Sequence, residues 1–132
     1  MLQLLHESPI LTVSFDTDER WIYANWENVQ SISDVQTGCV LILEHVQQTG
    51  SRRILNDNRQ VFTLWAEAAE WVGRTYLQQL AAAGVQRLAW INAHSIYGRL
   101  SASQAIVYVE KPHAQLFDDY NEAVAWLRAP AD

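Results

Sequence analysis

A chain of 132 residues with 49% hydrophobic and 18% charged side chains reads as one globular domain, residues 1–132, whose own core suffices without a disulfide or a metal. Its net charge of −6 and its scattered bases (eight Arg and the single Lys111) offer no stripe for a nucleic-acid backbone or an anionic membrane surface. Cys39 is the sole cysteine, residues 1–7 lack the basic start and long apolar run of a signal peptide, and no apolar run approaches the roughly 18 residues of a membrane span. The expected setting is therefore a reducing cytoplasm, with no membrane insertion.

Along the chain, residues 2–5 are a short apolar run closed by Ser8 and Pro9. Residues 10–15 partly alternate, as in a strand with one buried face. Asp16, Thr17, Asp18 and Glu19 form a polar turn, and the aromatic and β-branched residues of 21–26 read as the returning strand of a hairpin. The period then changes. Val35, Cys39, Ile42, Leu43 and Val46 fall on one face of a helix, with Ser31 or Ser33 as its cap, Asp34 in its first turn and Gly50 ending it in a left-handed conformation.

Residues 53–55 are a short apolar strand, and Asn56, Asp57, Asn58 and Arg59 a polar loop after it. A helix over 63–83, ended by Gly84, has Trp65, Ala69, Val72, Tyr76 and Leu80 as its main apolar face. Residues 87–91 are a strand ending at Asn92. A shorter helix starts at Ser101 and closes before Pro112. Residues 115–117 are a last strand, and a final helix capped by Asp118 or Asp119 places Tyr120, Ala123, Val124 and Leu127 on one face. Residues 129–132 read as a frayed tail. Strands alternating with helices require crossover connections. The fold class is α/β: a single-layer, mostly parallel sheet with an antiparallel N-terminal hairpin and helices packed on it.

This element order, together with Ile54, Leu55, Asn56, Asp57, Asn58 and Arg59 followed by Trp65, Glu67, Ala68, Glu70 and Trp71, resembles the SpoIIAA-like proteins, a bacterial group allied to the STAS domain. The resemblance spans most of the chain. It implies a STAS-like fold and a regulatory or binding role. Allied members include phosphorylatable antagonists of anti-sigma kinases, regulatory domains of anion transporters and lipid-binding domains of the Sec14 type. In phosphorylatable STAS domains the accepting Ser or Thr opens the helix after the central strand, commonly as Asp-Ser. Here Thr63 is the only hydroxyl in that stretch and the Asp-Ser pair is missing, so Thr63 is the residue a phospho-switch would use.

Ligands in parallel α/β sheets bind beyond the carboxyl ends of the strands. Two polar strings fall there: Asn56, Asp57, Asn58 and Arg59, and residues 92–99 with Asn92, His94, Ser95, Tyr97 and Arg99. If their strands are neighbours, the two face one pocket. The first string could orient a ligand, with Arg59 holding an anion, or could be a structural loop in which Asp57 pairs with Arg59 or Arg99. Ser95, His94 and Asp57 invite a nucleophile reading, but adjacent Ser and His are poorly placed for it and no Gly-x-Ser-x-Gly elbow is present.

No close-spaced ligand set marks a metal, and no Gly-rich loop marks a nucleotide, so no cofactor is expected. Cys39 reads as a small core residue. Of the six Trp residues, Trp21, Trp65 and Trp90 read as core. Trp71 and Trp126 sit one position off their helices' main faces, Trp71 with Leu64, Ala68 and Thr75, where they flank the core or meet a second subunit.

Two functional expectations follow. The first is a non-catalytic STAS-like binding or regulatory module, not an enzyme, acting through a regulatory protein partner or a homodimer. The second is a small-molecule or lipid carrier whose apolar pocket is lined by Trp26, Trp65, Trp90 and Tyr97 and gated by Arg59 and Arg99.

Overall fold

The structure is a computed structural model that describes residues 1–29, 31–62, 65–107 and 111–130. Six strands form one sheet: β1 (Leu2–Glu7), β2 (Leu11–Asp16), β3 (Trp21–Glu27), β4 (Arg53–Gln60), β5 (Arg87–Ile91) and β6 (His113–Phe117). They lie side by side in chain order. The first three are antiparallel, and β3 through β6 run parallel. The expected hairpin thus extends to a three-stranded meander, because residues 2–7 pair along β2.

Between the parallel strands run α1 (Ile32–Thr49), then α2 (Ala66–Trp71), a π-helical turn (Val72–Tyr76) and α3 (Leu77–Ala82), and then α4 (Ile96–Ile106); α5 (Tyr120–Arg128) follows β6. Crossovers that keep one hand between successive neighbours deliver their helices to the same face. The core divides accordingly. Ile22, Ala24 and Trp26 of β3, Ile54 of β4 and Leu88 and Trp90 of β5 pack with α1, α2, α3 and α4. Trp21, Leu55, Ala89, Ile91 and Phe117 form a smaller cluster with Ala123 and Leu127 of α5 on the other face.

Local chemistry sets the helix ends. Ser31 caps α1, its hydroxyl accepting from the Asp34 N–H at 3.1 Å, and Gly50 closes it at φ 68°, a conformation that costs glycine nothing. Asp119 caps α5 by accepting from the Glu122 N–H at 2.9 Å. The other end of α5 is held by arginines from neighbouring strands. Arg53 donates to the Leu127 carbonyl and Arg87 to the carbonyls of Trp126, Ala129 and Pro130. These cations meet the negative end of the helix dipole, so the start of the segment expected to fray is tied down.

Three expectations need correction. The helix expected over 63–83 is interrupted by its π turn; this re-phases the helix so that Val72 and Gly73, and then Tyr76 and Leu77, are buried as adjacent pairs. The five residues of its expected apolar face are nonetheless all buried. The helix expected to start at Ser101 starts at Ile96, capped by Ser95. Ser101 is a buried mid-helix residue whose hydroxyl donates to the Tyr97 carbonyl at 3.1 Å and accepts from the Trp65 N–H at 3.1 Å; back-bonding of this kind removes the reason to read it as a cap. Finally, Asn56, Asp57, Asn58 and Arg59 are not a loop but the second half of β4. Their turn propensity is overridden by pairing with β3 and β5 and by side-chain partners for each.

Candidate site at the carboxyl ends of the strands

Alternation along β4 sends its polar residues to opposite faces of the sheet. Asn56, Asp57 and Asn58 are only 6%, 2% and 4% exposed, so each must find its hydrogen bonds inside the protein. On the α5 side, Asp57 receives three bonds from the Arg59 guanidinium, at 3.0, 3.2 and 2.7 Å, one from the Arg59 backbone N–H at 3.0 Å, and one from the Tyr23 hydroxyl at 2.6 Å. Tyr120 of α5 completes the cluster. Its ring lies 5.3 Å from the Arg59 guanidinium carbon and edge-on to Tyr23.

Burial works to raise the pKa of Asp57, but the bonds from Arg59 and Tyr23 outweigh it and hold the carboxylate below its usual value. Burial, and then the bond to the Asp57 carboxylate, push the Tyr23 hydroxyl up. Asp57 therefore pairs with Arg59, the first of its two expected partners. With its acceptor sites occupied, this cluster has the character of a structural tie.

On the helix side, Asn56 accepts from the Trp26 indole N–H at 2.8 Å and donates to the Asn58 side-chain oxygen at 3.1 Å. These three residues line a cavity with Trp65, Trp90, Val35, Cys39, Val72, Tyr76 and others. Trp65 and Trp90 stack at 5.6 Å with planes 5° apart. The cavity measures about 30 Å³, room for about two waters where one water needs roughly 10–15 Å³.

The Trp90 indole N–H is buried and has no hydrogen-bond partner. Burial pushes the Cys39 thiol up, so it stays protonated and packs as a core residue. Gly38 is the sequence feature that makes room for this arrangement. A Cβ there would stand 2.3 Å from the Trp26 ring, so the glycine in mid-α1 is what lets that ring lie against the helix. The register also breaks here. Asn25 pairs with Asp57 but Glu27 with Gln60, an extra residue in β4 of the kind that re-aims side chains at strand ends.

The string 92–99 does not meet this cavity. Asn92 donates to Asp118 at 3.2 Å, and its own side-chain oxygen is buried without a partner. Arg99 forms an ion pair with Asp118, so neither it nor Arg59 stands at the cavity as a gate. His94 is exposed, and Ser95 spends its hydroxyl oxygen on the Tyr97 N–H as the α4 cap. Tyr97 is exposed rather than cavity-lining. Of the expected aromatic pocket, Trp26, Trp65 and Trp90 are brought together and Tyr97 is not.

Trp71 stacks on Tyr76, and Trp126 packs against Phe117, His113 and Arg87, so both rings have partners within the chain. Thr63, the phospho-switch position, and Leu64 of the Trp71 stripe lie outside the described residues. Among the described residues, no group of three or more His, Cys, Asp or Glu is placed to hold a metal ion, and no helix is long and apolar enough to cross a membrane. Comparison with protein-family models, curated proteins and solved structures finds no match to the chain.

Proposed function

We propose that the chain is a non-catalytic binding module of STAS-like organisation that works through protein contacts, beginning with a second copy of itself. The observation that carries this reading is an exposed apolar surface at the carboxyl ends of the strands. Ile96 and Leu100, one turn apart on α4, are 65% and 51% exposed, and Phe62, just beyond β4, is 63% exposed. Tyr97 and Val107 continue the surface along α4. A Cβ at Gly98 would sit 3.5 Å from the Val61 carbonyl, which brings Phe62 beside the first turn of α4.

The charge pattern favours a second copy there. A molecule with net charge −6 repels itself over most of its surface. On this patch Arg99 is neutralised by Asp118, so two copies can approach without like charges meeting. The one nucleophile arrangement the residues suggested is not assembled: His94 is exposed, Ser95 caps a helix, and Asp57 is saturated by Arg59 and Tyr23. Sedimentation equilibrium tests the reading. The expected result is a dimer for the wild type and a monomer for Leu100→Glu with unchanged thermal stability; a wild type that stays monomeric at all concentrations overturns it.

A second reading, a carrier of small apolar molecules, rests on the unpartnered N–H of Trp90, a residue that lines the cavity. At about 30 Å³ the cavity is far below the roughly 300–1,000 Å³ of drug-sized sites, so a lipid enters only if the site opens. Native mass spectrometry of protein purified from cells decides it. A co-purifying mass lost in Trp90→Phe supports the carrier, and a bare chain rejects it.

A further inference from the structure

The opposite end of the sheet holds a second opening. The turn between β2 and β3, the end of α1 and the starts of β4 and β5 enclose a surface pocket of about 340 Å³, lined by Arg20, Arg52, Arg53, Thr49, Ser51 and Gln86 among others. Three arginines line it and no acidic residue does, in a chain where acids outnumber bases 15 to 9.

The other arginines are committed elsewhere. Arg59, Arg74, Arg99 and Arg128 each hold a carboxylate, and Arg87 holds carbonyls at the end of α5. Arg53 is fixed over the Trp21 ring and donates to the Glu19 and Leu127 carbonyls at 2.6 and 3.1 Å, so its position is set while its charge is not neutralised. Among the described residues only Arg20 and Arg52 have guanidinium groups with no hydrogen bond or ion pair, and both line this pocket.

Arg20 also occupies a costly backbone position. Its φ is 62°, the left-handed region where glycine is the easy residue and a side chain is disfavoured. The turn therefore carries a guanidinium where glycine would fit with less strain. The hydroxyls add no donors. Thr49 donates to the His45 carbonyl at 2.8 Å, so Ser51, 2.7 Å away, donates to Thr49, and both protons are spent. Recognition falls to the guanidinium forks and the Gln86 amide.

We propose that this pocket binds a phosphoryl anion, as free phosphate or as the phosphate of a small monoester. Guanidinium forks match the oxygens of a tetrahedral oxyanion in pairs, and the pocket leaves room beside a phosphoryl group for a small organic remainder.

The test is isothermal titration of the full chain with inorganic phosphate and, separately, with glycerol phosphate, at ionic strength held constant with chloride. Saturable binding is expected from the wild type. Arg52→Gln and Arg20→Gly each weaken it by roughly tenfold or more, the loss of one charge-assisted contact. Arg20→Gly serves as its own folding control, because it relieves the left-handed residue and its melting temperature stays level or rises. Tighter binding of the monoester names a phosphorylated small molecule as ligand, and equal binding names free phosphate; both sustain the site. Absence of saturable binding in both titrations overturns the proposal. So does equal binding by wild type and both variants, or an equal loss in Arg128→Gln, whose arginine lies elsewhere.

Discussion

The two faces of β4 bury polar side chains in the same stretch of strand by opposite means. Toward α5, Asp57 is charged, and Arg59 and Tyr23 both donate to it. Toward the other helices, Asn56 and Asn58 are neutral, join a short amide–indole chain, and border a space that the core does not fill. The contrast shows that burial of polar residues does not by itself mark a binding site. The ion-paired face is closed, because a further ligand would have to displace bonds already made. The amide face still has an indole N–H to satisfy, and the cost of leaving such a donor unpaired, about 1–3 kcal/mol, is what a ligand or a water there would recover.

Asp57→Ala is the strongest way to break the comparison. Removing one partner of a buried ion pair costs about 3–5 kcal/mol. The Arg59 side chain is 37% exposed and regains water, so a loss of about 2–3 kcal/mol is expected in urea denaturation. A loss below about 0.5 kcal/mol, the size of an ordinary surface change, would put the two faces on the same footing.

Next come the two indoles. Trp26→Phe strips Asn56 of its donor, whereas Trp90→Phe removes a group that bonds to nothing. The first should cost about 1–3 kcal/mol more than the second, and equal losses would show that the Trp90 N–H is satisfied after all. Gly38→Ala gains up to about 1 kcal/mol of helix propensity but drives a methyl into the Trp26 ring, an overpacking worth about 1–3 kcal/mol or more. A net loss of about 1–2 kcal/mol is expected, with near-ultraviolet circular dichroism reporting the displaced indole.

The smallest effect is on pH dependence. Because the pKa of Asp57 is lowered on folding, its contribution is complete above its usual value of 3.8 and fades as pH falls through the lower folded value. Stability of the wild type should therefore drop below about pH 4, and Asp57→Asn should lack that part of the drop.

The sequence reveals most where the controlling chemistry is local. β5 is found at its expected residues, Gly50 ends α1, and the caps fall on Ser31 and Asp119, one member of each expected pair, because each follows from side chains within a turn of its target. β4 is misread from Asn56 onward because Asn and Asp favour turns in isolation. Only neighbours 30 or so residues away, Trp26 and Tyr23 among them, make a strand of this stretch. The start of α4 is hidden for a similar reason. Gly98 weakens the helical pattern, and the need for it, a Cβ of Ala93 close against the helix, is not visible before the chain is folded. The cavity joins Trp26, Trp65 and Trp90 across separate elements, so the sequence offers its aromatic residues but not their arrangement. Tyr97, expected there from its place in the 92–99 string, instead lies exposed in the first turn of α4.

The sheet is laid down in the order of the chain, β1 to β6 without a jump. Each strand emerging from a ribosome thus finds its neighbour already made, and no pairing waits for a distant partner. Pairing in the parallel half nonetheless spans whole crossover helices, so those ladders close long loops and form more slowly than the N-terminal meander. α5 also reaches back, to β4 and β5, where Arg53 and Arg87 take its final carbonyls. Its docking acts as a latch: a segment made after β6 secures strands assembled well before it.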